Sequence, residues 1–316
     1  MNLLISRNLQ GASGPGIFTR RLMDALVSRH GVKIVSGRSP SYGNPDIVLS
    51  GIQYRDKSYR NGNAKRIFRV DGCYYDRSVN NRDGKNKGIT KGILKSDGVI
   101  YQSQFSKDLA ASMLGVGGRE NKSTIIYNGF DQSVVESTKK IDKDCEWLFM
   151  ASAKWRHTKR PNSIINGFLE ADVPDSKLIM FGMERGPIHK RIQYVPFINS
   201  KKLYGYYKSS DALIHMCYLD SCSNSVVEAL SFGTPVICNN TGGTPEIVKN
   251  SGYIVKCDKF DFQTVKKVGD HIPPAWIAQS VHDCVKDNHR RVSRPEFDLK
   301  LKAQQYYDFF LDVLRK

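Results

Sequence analysis

No apolar run in this chain of 316 residues approaches the roughly 20 residues needed to cross a bilayer, which excludes a helical integral membrane protein. No charged or low-complexity block of the kind that keeps a chain unfolded is present either. The seven cysteines (73, 145, 217, 222, 238, 257 and 284) form no CxxC pair and are odd in number. Several of them lie inside apolar runs. Together these facts disfavour a disulfide scaffold and a structural zinc site and point to a reduced, cytoplasmic protein. The N-terminal run MNLLISRN is broken at Arg7 and lacks the longer apolar core of a secretory leader, so it reads as a first buried strand.

Acidic residues are in short supply. The formal charge is +17, and the excess is uneven: residues 1–140 hold 23 Lys/Arg and 11 Asp/Glu, a net +12, against 25 and 20, a net +5, in the remainder. A positive field on one side attracts anionic lipid, nucleic acid or an acidic acceptor, although solvated lysines that keep a chain soluble give the same count.

The length suits two α/β domains of about 150 residues each. In the first half, strand-length apolar segments fall at Asn2 to Ile5, Val32 to Val35, Asp46 to Leu49, Arg66 to Val70, Gly98 to Gln102 and Thr124 to Tyr127. Helical periodicity runs from Ile17 to Ser28 and near Gln104 to Leu114. A glycine loop, Gly11 to Gly16, is expected to follow the first strand. The polar, lysine-rich stretch Gln132 to Glu146 reads as a linker, giving domains 1–140 and 141–316. The second half repeats the alternation, with strands at Trp147 to Ala151, Leu178 to Phe181, Ala212 to Cys217 and Val236 to Cys238. Helices are expected near Ser163 to Leu169, Lys201 to Lys208, Ser225 to Phe232 and Glu246 to Lys249. The tail from Phe297 to Leu314 is amphipathic, with Tyr306, Phe309, Phe310 and Val313 to pack. Such alternation predicts two doubly wound parallel sheets, with ligand at the carboxyl ends of the strands.

The most informative stretch is Asp220 to Lys249, a strand end, a small polar loop, a helix, a second strand and a glycine turn. Asp220 falls just past a buried strand, and Ser221 to Asn224 let backbone amides approach a ligand. The helix from Ser225 aims its unsatisfied amides and positive dipole end at the same point, which suits a diphosphate. Glu228, in the first turn, can accept from a vicinal diol. The plainer reading of Glu228 alone is an acid favoured there by the helix dipole.

Asp220-x7-Glu228 with Ala229, Gly233, Pro235-Val236 and Gly242-Gly243-x-Pro245-Glu246 resembles the acidic signature of glycosyltransferase family 4. Val99 to Phe105 resembles that family's strand and S-x-F segment, and Asn128-Gly129-Phe130-Asp131 its NGVD segment. Lys154 and Lys159 have the spacing of its R-x4-K pair. The resemblance covers most of the chain. It implies the GT-B fold, two Rossmann-like domains facing a cleft with the C-terminal helix returning to the first. It also implies sugar transfer from a nucleotide-diphosphate sugar with retention and without a metal, and no cofactor beyond a UDP- or GDP-sugar donor. By the same resemblance Glu228 holds the ribose, and Asp220 contacts hydroxyls of the transferred sugar. The backbone amides of Asn224, Ser225 and Val226 meet the sugar and diphosphate, and Lys154 and Lys159 neutralise the leaving group. Gly14 and Gly16 lie against phosphate and acceptor.

Two positions depart from the family pattern. Asp220 replaces the usual Glu, and Arg69-Val70-Asp71-Gly72 stands where many members have a His. Asp71 is open to two readings, a contact to sugar or acceptor hydroxyl and a simple turn residue beside Gly72. None of the seven histidines stands out, and His157 is expected on a loop surface. The acceptor is expected to be a glycan or lipid-linked hydroxyl, with peripheral contact to an anionic membrane. A DNA-modifying glycosyltransferase and a non-catalytic sugar-nucleotide or glycan-binding module stay open as rivals.

Overall fold

The computed structural model describes residues 1–6, 14–35, 44–51, 63–76, 79–257, 271–288 and 291–315. The chain divides into two compact units, the first built from Met1–Gly129 and Phe297–Lys316 and the second mainly from Phe130–Phe260 and Val268–Glu296. The crossover comes at Gly129, ahead of the lysine-rich stretch, and that stretch opens with a helix, α4 (Gln132–Ser137), where a linker is expected from sequence. Asp131 caps this helix by accepting from the Ser133 amide at 2.9 Å, so a polar composition hides a regular turn.

The first unit holds β1 (Asn2–Ile5), β2 (Lys33–Val35), β3 (Ile47–Gly51), β4 (Lys65–Val70), β5 (Gly98–Tyr101) and β6 (Ser123–Ile125). They pair in parallel in the order β2-β1-β3-β4-β5-β6. β5 is buried at all four positions, as a strand covered on both faces must be. α1 (Gly14–His30) buries Phe18, Leu22 and Leu26, one face at four-residue spacing. α2 (Arg82–Lys95) and α3 (Gln104–Leu114) connect the later strands, α3 starting with a reciprocal Ser103–Ser106 capping box. The C-terminal α10 (Leu299–Leu314) belongs to this unit and buries Tyr306, Phe309, Phe310 and Val313, as its amphipathic pattern predicts. Its fit is close: a Cβ on Gly98 would stand 2.8 Å from Val313 and 3.0 Å from the Phe309 ring.

The second unit holds β7 (Trp147–Ser152), β8 (Ser176–Phe181), β9 (Ile192–Val195), β10 (Ala212–His215), β11 (Val236–Asn239) and β12 (Gly252–Val255). All pairings are parallel, in the order β12-β11-β10-β7-β8-β9. Counted from β7 this is the strand order of dinucleotide-binding sheets, which reverses between β7 and β10. α5 (Pro161–Ala171), α6 (Ser200–Ser209), α7 (Asn224–Ser231), α8 (Thr244–Val248) and α9 (Pro274–Lys286) flank it. α5 and α9 cross so closely that a Cβ on Gly167 would lie 2.4 Å from Ile277 Cβ. No helix among the described residues is long and apolar enough to cross a membrane.

Phe310 is fully buried between α10 and the first sheet. Phe310→Ala should therefore cost the first unit about 3–5 kcal/mol, measured as a lowered urea midpoint; a wild-type midpoint would show that this helix contributes no packing energy.

Candidate active site

The strand order reverses between β7 and β10, so the carboxyl ends of these two strands are where an open α/β sheet offers a crevice for a ligand. After β7 the chain makes a short 3-10 turn, His157–Lys159, and leaves it through Arg160 in a left-handed conformation (φ 53°) before Pro161 opens α5. After β10 it runs through Leu219, also left-handed at φ 54°, to Asp220. The Tyr218 amide donates to the Thr158 carbonyl at 2.9 Å, stitching the two connections together. The Arg160 guanidinium lies over the Tyr218 ring at 5.1 Å. These ties bring Lys159 Nζ to 2.7 Å from Asp220 Oδ2, with side chains only 15% and 19% exposed.

Two further groups complete the cluster. His215 Nε2 stands 3.9 Å from Asp220 Oδ2, is buried, and has no hydrogen-bond partner among the described residues. The Cys217 thiol interacts with both Lys159 and Asp220. Burial works against ionisation of Asp220, but Lys159, His215 and the hydrogen bonds win and hold its carboxyl down at about 2. For Lys159 burial is likewise opposed, and exceeded, by Asp220 and Cys217, so its ammonium titrates above the ordinary lysine range. Burial and the Lys159 charge lower His215 to about 4, so it is neutral at physiological pH. Burial pushes the Cys217 thiol up to about 11. His215, Cys217 and Asp220 lie within 4.8 Å of one another, a spacing that could hold a cation. The Lys159 ammonium sits on the Asp220 carboxylate at 2.7 Å, and burial favours the protonated form of the Cys217 thiol.

The glycine turn after β11 is fitted to this loop. Gly242 has φ +82°, and a Cβ there would stand 2.7 Å from the Asp220 carbonyl oxygen and 2.9 Å from its amide nitrogen. The Gly243 amide donates to that same carbonyl at 2.7 Å. α7 begins at Asn224, one residue earlier than its sequence pattern predicts, so Glu228 is its fifth residue and lies just beyond the opening turn. Its side chain is buried, on a helix that closes its first turn by the Val227 amide donating to Ser223. Ser223 makes no side-chain cap, its hydroxyl pairing instead with that of Ser225 at 2.9 Å. The amides at 225 and 226 precede the first intrahelical bond and project from the helix start.

Lys154 is exposed and, among the described residues, makes no contact with Lys159 or Asp220. His157 is exposed, in keeping with a surface position. Gly14 and Gly16, in contrast, are not in a loop: they are the first and third residues of α1, with Pro15 between them. Proline is favoured in an opening turn because its missing N–H has no partner to lose there. Gly11, Ala12 and Ser13 lie outside the described residues.

In the first unit Asp71 follows β4 directly. Its Oδ1 meets Arg69 Nη2 at 3.1 Å and accepts from Gln102 Nε2 at 2.5 Å. Asn128 Oδ1 accepts from Arg69 Nη2 at 2.9 Å, and the guanidinium packs over the Phe18 ring at 4.7 Å. Asp71 is thus a largely buried carboxyl bonded through one oxygen to two side chains. Its pKa is raised by burial against the opposing pull of Arg69. Sequence reasoning passes over His215, Cys217, Arg69, Gln102 and Asn128 as members of these clusters. The available signal was a polar or titratable residue at or next to the carboxyl end of an otherwise apolar strand.

Because the folded-state value of Asp220 lies below its ordinary 3.8, its ionisation stabilises the fold above that value and the contribution is lost as pH falls toward about 2. The stability gap between wild type and Asp220→Asn should be about 2 kcal/mol near neutrality and should narrow between about pH 4 and pH 2 in urea titrations. A gap that is constant with pH would show that the carboxylate is not held by the pair.

Residues 138–264 match the family model described as Glycosyl transferases group 1. No curated protein matches the sequence significantly. Solved structures similar to this chain include a glycosyltransferase from Rickettsia africae, with TM-score 0.71 and 15% identity over 100% of this chain and 98% of that one. A sucrose-phosphate synthase from Thermosynechococcus elongatus follows at TM-score 0.66 and 14% identity, covering 99% of each chain. HepE of Anabaena in complex with UDP-glucose superposes at TM-score 0.64 and 13% identity, over 98% of this chain and 99% of the other. The chain therefore has the GT-B fold of these enzymes, and residues 138–264 carry a Glycosyl transferases group 1 match.

Proposed function

We propose that this protein is a retaining, metal-independent glycosyltransferase that moves a sugar from a UDP- or GDP-sugar to a glycan or lipid-linked hydroxyl. The observation that carries this reading is the buried Lys159–Asp220 pair at the strand-order reversal, next to the uncapped start of α7. A fixed ammonium and a helix N-terminus are what a departing diphosphate needs, and together they take the place of a divalent cation. Solved relatives of this fold include one described in complex with UDP-glucose, which supports a donor of that class.

The roles follow from the chemistry of each group. The backbone amides of Asn224, Ser225 and Val226 bind the diphosphate, and Glu228 accepts from the ribose hydroxyls. Asp220 stays ionised at neutral pH, because Lys159 holds it so, and it accepts hydrogen bonds from the transferred sugar. A carboxyl held at about 2 cannot serve as a proton donor, so the acid–nucleophile pair of glycoside hydrolases does not apply. Lys154 adds a second, solvent-facing charge toward the leaving group. Gly14 and Gly16, at the start of α1, are assigned to the acceptor or phosphate side, where the lack of a side chain permits close approach of the backbone.

In the transfer step the acceptor oxygen bonds to the anomeric carbon from the face the diphosphate leaves. The bond from that carbon to the phosphate oxygen breaks with its electron pair, and the hydroxyl proton passes to the departing phosphate. In the first unit Asp71, largely buried and held through one oxygen, has the chemistry to accept from an acceptor hydroxyl and orient it. The net +12 of residues 1–140 supports an acceptor presented on an anionic surface, with peripheral membrane contact as its natural setting.

Release of nucleoside diphosphate from UDP- and GDP-sugars, paired with calorimetric binding of the nucleotide, tests the assignment. Glu228→Ala should weaken nucleotide binding by about tenfold or more. Lys159→Ala should lower turnover by roughly a hundredfold with a smaller change in affinity. Unaltered nucleotide affinity in Glu228→Ala would remove the ribose assignment, and hydrolysis of neither donor by wild type would favour a binding module.

A further inference from the structure

Asp71 is held asymmetrically. Both of its partners among the described residues, Arg69 Nη2 at 3.1 Å and Gln102 Nε2 at 2.5 Å, act on Oδ1. Oδ2 is buried and has no partner among the described residues. An unmatched carboxylate oxygen in a protein interior is costly, and its retention calls for a reason.

The grip is built from three adjacent strands. Arg69 lies near the end of β4, Gln102 follows β5, and Asn128 comes shortly after β6. Asn128 Oδ1 accepts from Arg69 at 2.9 Å and from Gln102 at 3.4 Å, fixing the two donors relative to each other. Arg69 is further pinned by Phe18 and by Thr19 Oγ1 at 3.4 Å, and Thr19 itself donates to the Pro15 carbonyl at 2.8 Å. Gly129, next to Asn128, is backed by the start of α10: a Cβ there would lie 3.0 Å from the Phe297 carbonyl oxygen and 3.1 Å from Leu299 Cα. The whole frame belongs to one unit.

We infer that Gln102 is a positioning residue: with Arg69 it holds Oδ1 of Asp71 and leaves Oδ2 as the oxygen that accepts from a substrate hydroxyl. The inference rests on the reading of Asp71 as a hydroxyl-orienting carboxylate. Gln102 fits this task better than a charged donor would, since a neutral amide orients the carboxylate without adding a second cation to Arg69. Among the described residues, the charged or titratable groups acting on or with Asp71 are Arg69 and Tyr74, whose phenol is pushed up by burial and by the Asp71 charge.

Removing the Gln102 donor withdraws a hydrogen bond from the ionised form, so the Asp71 carboxyl must titrate higher; a Glu at 102 adds a like charge and must raise it further. The test is carbon NMR of the aspartate side-chain carboxyls in the full chain, with the Asp71 signal assigned by its loss in Asp71→Asn. The Asp71 midpoint should rise by about one pH unit in Gln102→Met and by more in Gln102→Glu. In parallel, UDP release from UDP-glucose should fall by at least about tenfold in both variants. The isosteric Gln102→Glu keeps the test alive should the Met variant fail to fold, and the NMR arm needs no substrate. An unmoved Asp71 midpoint in both variants overturns the inference, as does a moved midpoint with undiminished UDP release. Undiminished UDP release in Asp71→Asn instead overturns the role given to Asp71 itself.

Discussion

The ion pair between Lys159 and Asp220 is the constraint around which the second unit is arranged. Taking two charges out of water seldom stabilises a fold by itself, because the desolvation cost rivals the attraction gained. What the pair requires is more telling: two left-handed residues, Arg160 and Leu219, the Tyr218–Thr158 backbone bond, and a glycine at 242 whose α-carbon backs directly on Asp220. Each is a local oddity, and all converge on one place, the reversal of strand order between β7 and β10. Concentrated backbone strain and a largely buried ammonium at the strand-order reversal suit a site prepared for an anion.

The two units treat their carboxylates in opposite ways. Asp220 is held down at about 2 by a lysine and its hydrogen bonds, and so remains charged. Asp71 is raised by burial despite Arg69, and its second oxygen is left unmatched. Environments that push two acids apart assign them different work. In the proposed function the ionised Asp220 holds hydroxyls and balances an ammonium, whereas Asp71, with one oxygen left open, orients a reacting group.

Much of this was legible in the sequence because it rests on local pattern. The first strand, Asn2–Ile5, and α3, Gln104–Leu114, fall where their apolar spacing places them, and the Asp220–Glu228 layout emerges as a loop followed by a helix. The unread parts have physical reasons. α2, RDGKNKGITKGILK, carries glycines and lysines that dilute its apolar face, although Ile89 and Ile93 are buried. Edge strands β9 and β12 are short and partly exposed, so their alternation is weak. Gly14 and Gly16 look like a loop because glycine and proline usually break helices, but at a helix start neither residue costs a bond. Arg69, Gln102 and Asn128 lie far apart in sequence and become one network only through strand pairing.

In the proposed function Lys159 and the start of α7 supply the positive charge a nucleoside diphosphate needs, with no divalent cation required. The most direct measurement is calorimetric titration of UDP and GDP into the protein in excess chelator and again in millimolar Mg²⁺ or Mn²⁺. The preferred nucleotide should bind with the same affinity in both. Binding that disappears in chelator and returns with the metal would contradict it.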